Sequence, residues 1–83
     1  MDQNYPNPFN PASVIRYHIA EPRMVRLVVY DLLGREVAVL VNEKKQTGSY
    51  EATFDASHFA SGMYVARLIA GSFVETRKML LVR

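Results

Sequence analysis

Met63-Tyr64-Val65-Ala66-Arg67-Leu68-Ile69-Ala70-Gly71-Ser72-Phe73-Val74-Glu75-Thr76-Arg77-Lys78-Met79-Leu80-Leu81-Val82-Arg83 contains two runs divided by the turn signal Ala70-Gly71-Ser72. In the first run Tyr64, Ala66 and Leu68 share one face, and Val65, Arg67 and Ile69 the other. That is the period of two that a half-buried strand requires. Two such runs joined through a tight glycine turn read as an antiparallel hairpin. The second run sets Thr76, Lys78, Leu80 and Val82 against Glu75, Arg77, Met79 and Leu81, and becomes apolar on both sides toward Val82. A strand of that kind is expected between two neighbours, which makes the terminal segment structural and not a loose tail.

The same period recurs upstream. Ser13 to Ile19 places Ile15, Tyr17 and Ile19 opposite Val14, Arg16 and His18. After a turn set by Pro22, Met24 to Tyr30 places Val25, Leu27 and Val29 opposite Arg26, Val28 and Tyr30, with the valine and tyrosine content of a strand. Asp31-Leu32-Leu33-Gly34-Arg35 reads as a hairpin loop, Gly34 taking positive φ and Asp31 bonding the turn backbone. Glu36 to Val41 is apolar without clean alternation, as a buried or bulged strand would be. Residues 42–48 are polar and read as a loop. Ser49 to Phe54 then sets Tyr50, Ala52 and Phe54 against Glu51 and Thr53. Asp55 to Ala60 predicts one helical turn capped by Asp55, with Phe59 tucked into the edge of the sandwich. Ser61-Gly62 is the next turn signal. About six or seven short strands without a convincing helix predict an all-β fold, an Ig-like antiparallel β-sandwich. The Cys…Trp…Cys core of antibody domains is missing, so the expectation concerns the wider architecture.

Three of the four prolines fall in Asn4-Tyr5-Pro6-Asn7-Pro8-Phe9-Asn10-Pro11. Proline fixes φ, removes a donor and pushes its predecessor toward extended geometry, so this octet is neither helix nor central strand. Tyr5 and Phe9 distinguish it from a flexible linker and predict a segment packed on the domain. We therefore read residues 4–83 as a single domain, with 4–12 as its proline-rich leading segment and 1–3 as the remnant of a linker at the start of a fragment. The Pro8-Phe9-Asn10-Pro11 match to PxxP is better explained by this packing than by SH3 binding.

With 83 residues the chain can form one domain, and one this small buries only about 60–65% of its unfolded surface. The apolar fraction of 49% suffices for a core, and the absence of cysteine leaves that core to hold the fold without disulfides or thiolate metal sites. Net charge is +2, with the basic residues dispersed. That pattern argues against a nucleic-acid face, which needs a clustered stripe. No apolar run approaches a membrane helix, so no membrane insertion is expected. Asp55, Ser57 and His58 have the residue types of a hydrolase triad, but neighbours in sequence rarely converge as one, and catalysis is not expected. Two histidines without an HExxH pattern give no metal site, and no cofactor is expected. Tyr30, Tyr50 and Tyr64 would suit a sugar if they formed a strip; in strands they more often pack a core.

Taken in order, Asn4 to Pro11, Ile15-Arg16-Tyr17, Val29 to Val37, Asp55-Ala56-Ser57, Ser61-Gly62-Met63-Tyr64 and Lys78 to Arg83 form a series. It closely resembles the type A C-terminal sorting domain of cargo proteins of the type IX (Por) secretion system, a family related to the Ig-like domain of the flagellar hook-capping protein. The resemblance covers Asn4 to Arg83. It implies a non-catalytic address carried behind an N-terminal cargo domain in the same chain. It further implies passage through the periplasm, recognition by an outer-membrane translocon, removal by a sortase-like protease, and delivery to the cell surface or outside. The positions that match the family's motifs are Gly34, Arg35, Gly62, Tyr64, Lys78, Met79, Leu80, Leu81, Val82 and Arg83; members often end in Lys where Arg83 stands. The other readings are an accessory carbohydrate-binding or adhesion module and a structural spacer. Unpaired edge strands would also permit a weak edge-to-edge dimer.

Overall fold

A computed structural model describes residues 1–82. Six strands follow one another: β1 (Ala12–Ile19), β2 (Arg23–Tyr30), β3 (Glu36–Lys45), β4 (Gly48–Asp55), β5 (Gly62–Ala70) and β6 (Phe73–Leu81). All pairing between them is antiparallel, in a four-stranded sheet of order β3-β2-β5-β6 and a two-stranded sheet of order β1-β4. The fold is therefore all-β, with two sheets in a sandwich, as the alternation predicts.

The inward set of each strand supplies the core. Ile15, Tyr17 and Ile19 of β1 and Phe54 of β4 meet Val25, Leu27 and Val29 of β2, Tyr64, Ala66 and Leu68 of β5, and Met79 and Leu81 of β6. Phe54 is its aromatic hub, with ring centroids 5.8 Å from Phe9, 5.6 Å from Phe59 and 6.1 Å from Tyr64. Its tilted and edge-on partners lie in the favourable range for aromatic pairs.

Four local expectations need correction or sharpening. Residues 42–48 are not all loop: Asn42 to Lys45 continue β3 and pair with Arg26 to Arg23, leaving Gln46 and Thr47 between β3 and β4. Those polar residues are tolerated because β3 lies at the sheet edge, with water on its free side. The irregular apolar pattern of β3 is explained by two register shifts. Leu27 pairs with Val41 but Val28 with Val39, and Val29 pairs with Ala38 but Tyr30 with Glu36, so Leu40 and Val37 are the extra residues. Residues 56–60 form a turn and no helix, although Asp55 Oδ1 does accept the Ser57 N–H at 3.0 Å. Phe59 packs against the core edge. Finally, β6 is an edge strand and not an interior one.

What covers the end of β6 is the proline-rich segment, whose three X–Pro bonds are cis. Phe9 N donates to Leu80 O at 2.9 Å and Val82 N donates to Phe9 O at 3.0 Å, while the Phe9 ring sinks into the core at 2% exposure. A few residues earlier, Tyr5 exchanges two backbone hydrogen bonds with Val14 of β1. The segment thus holds an edge of each sheet. Asn4 and Ser13 are the only buried polar residues among those described, and they satisfy each other: Asn4 Nδ2 donates to Ser13 Oγ at 2.7 Å, and Ser13 Oγ donates to Pro6 O at 2.9 Å. A buried polar pair of this kind fixes one geometry, because leaving either partner unpaired is costly.

Candidate recognition surface

The described positions that the resemblance singles out lie at one end of the four-stranded sheet. Gly62 opens β5 opposite Leu81, Tyr64 pairs with Met79 and Val65 with Lys78, so the Gly62-Met63-Tyr64 motif and the terminal motif are cross-strand neighbours. Tyr30 pairs with Val65, which brings the β2–β3 loop bearing Gly34 and Arg35 to the same end.

These positions divide by burial. Met79 is 0% and Leu81 1% exposed, and Tyr64 is buried with its hydroxyl donating to Ala60 O at 2.6 Å. They build the core and offer a partner nothing from the folded domain. Lys78 and Val82 are exposed and Leu80 is half-buried, all three on the outward side. Gly62, at φ 148°, has no atom within 4 Å of a built Cβ, so its constraint is conformational. Arg83 lies outside the described residues.

The β2–β3 loop is built around one carboxylate. Asp31 Oδ1 accepts the N–H groups of Leu33 at 2.9 Å and Arg35 at 3.0 Å, and Asp31 Oδ2 accepts Arg35 Nε at 2.7 Å. Gly34, at φ 80°, donates its N–H to Asp31 O. The carboxyl is held below its ordinary value of 3.8, first by the Arg35 backbone N–H and further by the Arg35 side chain and the Leu33 N–H. The clamp holds out two adjacent leucines, Leu32 at 71% and Leu33 at 78% exposure. Sequence reasoning missed them because an apolar residue in a loop carries no sign of which way it points. The exposed pair is the signal, and only the structure supplies it.

Other candidates do not assemble. Asp55 accepts the Ser57 backbone N–H, which holds its carboxyl below the ordinary value and fixes a turn. His18 lies on the outward face of β1, with Nδ1 3.3 Å from Ser49 Oγ. No three histidine, aspartate or glutamate side chains come together as a metal site among the described residues. The three tyrosines form no strip: Tyr64 is in the core, Tyr50 stacks on Tyr17 at 5.5 Å between the sheets, and Tyr30 faces outward from β2.

No curated protein and no solved structure matches the chain. The family model described as secretion system C-terminal sorting domain matches residues 3–82, nearly the whole length. On this match the chain belongs to the secretion system C-terminal sorting domain family, the sorting signals of type IX secretion.

Proposed function

We propose that the chain acts as a folded, non-catalytic address which the type IX machinery reads after its cargo has reached the periplasm. The observation that carries this reading is the family match over residues 3–82, the same span that packs as one sandwich. In this reading an outer-membrane translocon takes the cargo across, and a sortase-like protease separates it from the address. Of the family-matching positions, Gly34 and Arg35 shape the loop, Gly62 sets the start of β5, and Tyr64, Met79 and Leu81 maintain the strand that presents Lys78, Leu80 and Val82.

The test is a fusion of a signal peptide, a reporter and the full chain in a bacterium with type IX secretion, compared with the same fusion lacking the chain. Surface or extracellular reporter is expected only with the chain attached; equal export without it would overturn the proposal. Deleting residues 78–83 is a poorer test, because it also removes Met79 and Leu81 from the core. Lys78→Ala and Val82→Ser leave the inward set intact and separate recognition from folding.

A further inference from the structure

The register of the four-stranded sheet sorts its outward side chains into rows. Met63 lies beside Leu80; Glu36, Tyr30, Val65 and Lys78 form the next row; then come Val39, Val28, Arg67 and Thr76, followed by Asn42, Arg26, Ile69 and Val74, with Lys44 beside Met24 at the far end. This face carries four cations and one carboxylate, and that carboxylate, Glu36, is already paired with Arg26 at 3.2 Å. Lys44, Arg67 and Lys78 have no side-chain partner among the described residues. The outward face of the smaller sheet has the opposite balance, Glu51 and Asp55 against Arg16.

The basic face is also apolar. Met24 is 57%, Val74 47% and Val39 46% exposed, and the β2–β3 loop adds Leu32. Between that loop and the sheet lies a shallow, open hollow lined by Tyr30, Leu32, Val65, Arg67 and Val74; Asp31, which also lines it, is paired with Arg35. Among the described residues of this face the one unpaired arginine, Arg67, and the exposed Met24 are residue types enriched at docking surfaces, and the lysines suit its polar rim.

Over residues 78–82 the edge of the terminal strand is already taken. Lys78 O accepts Gln3 Nε2 at 2.7 Å, Leu80 N donates to Asn7 Oδ1 at 2.9 Å, and Leu80 O and Val82 N are both bonded to Phe9. A partner cannot add a strand there while the leading segment is in place. What remains readable of residues 78–82 is their outward side chains, and these belong to the basic face.

Resting on the sorting reading above, we infer that the domain docks through the outer face of its four-stranded sheet onto a folded protein whose surface is acidic and carries apolar side chains. Arg67, in the middle row, and Lys78, on the terminal strand, face the partner's carboxylates, and the open hollow beside Leu32 meets an apolar side chain. Charge selects this occupant: a second copy presenting the same face is repelled, and Glu51 on a second copy's opposite face is already paired with Arg16.

The test uses the signal peptide, reporter and full-chain fusion. Arg67→Glu with Lys78→Glu is expected to cut export by about tenfold or more, since like charges replace complementary ones at the contact. Arg67→Lys with Lys78→Arg retains export, and so does Glu51→Lys on the opposite face. Purified variants melt with the wild type; should the double glutamate variant not fold, Arg67→Ala with Lys78→Ala takes its place, with a loss of about threefold or more expected. Normal export of a folded face variant overturns the inference. Failure of the wild-type fusion itself counts instead against the sorting reading. Sedimentation of the purified chain with phosphatidylglycerol vesicles, abolished by Arg67→Glu, would reassign the face to anionic lipid, and a dimer abolished by the same change would reassign it to self-association. Either result overturns the protein partner.

Discussion

Replacing Phe9 with alanine tests whether the proline-rich segment is part of the sandwich. Phe9 is 2% exposed and its ring lies 5.8 Å from Phe54, so truncation opens a void beside the aromatic hub and removes one of its tilted ring contacts. Buried Phe→Ala changes cost about 3–5 kcal/mol. At about 0.05–0.15 kcal/mol per residue the whole domain has about 4–12 kcal/mol in hand, so this one ring is worth a large share of the total. In a domain of this size each kcal/mol shifts the melting midpoint by about 4–8 °C, which places the expected fall at about 12–40 °C. Tyr5→Ala is the matched control from the same segment: Tyr5 is 76% exposed, and a surface truncation of that kind changes stability by only about 0.5 kcal/mol. Urea unfolding followed by circular dichroism, with the thermal midpoint as a second measure, reads both variants. Coincident midpoints for Phe9→Ala and Tyr5→Ala would refute the claim that residues before β1 help hold the fold.

Further expectations follow from single contacts. Asn4→Ala leaves Ser13 Oγ without its buried donor and is expected to cost about 1–3 kcal/mol in a urea titration; an unchanged midpoint would show that the pair is not structural. At Gly34 a Cβ meets no neighbour, so Gly34→Ala isolates the cost of positive φ, about 1–2 kcal/mol in thermal unfolding. The folded Asp31 carboxyl titrates below its unfolded value of 3.8, so its stabilising effect is complete above 3.8 and is lost as pH falls through the lower folded value. Acid titration should therefore show a segment of stability loss below 3.8 that Asp31→Asn abolishes; identical curves for the two proteins would count against the clamp. Leu32→Ser with Leu33→Ser should leave the unfolding free energy within about 0.5 kcal/mol of wild type in a urea titration, because neither leucine is buried.

Alternation made five of the six strands readable, because each buries one side and wets the other, and a period of two survives in the residue order. β3 was harder, since its two extra residues, Leu40 and Val37, break the period and its polar end is tolerated at an edge. The turn after Asp55 was correctly located but wrongly shaped, since a single cap does not distinguish a helical turn from a tight one. The proposed docking face was the least legible. Lys44, Arg67 and Lys78 are dispersed along the chain, and the pairing register, including the β3 bulges, brings them onto one face. Dispersed charge along a sequence is thus no measure of dispersed charge on a sheet. The division of residues 78–82 into core and surface was readable from alternation, whereas coverage of their edge by Phe9 required a contact across some seventy residues.

That contact joins the first part of the domain to the last. Phe9 finds its hydrogen-bond partners at Leu80 and Val82 only after every strand between has been synthesised, so no shorter, nascent length of the chain can close its own core. Long-range closure of this kind is slow to form and cooperative once formed. A sorting signal built this way completes its fold only when its final strand is present, and a truncated product lacks both the closing strand and the surface that strand presents.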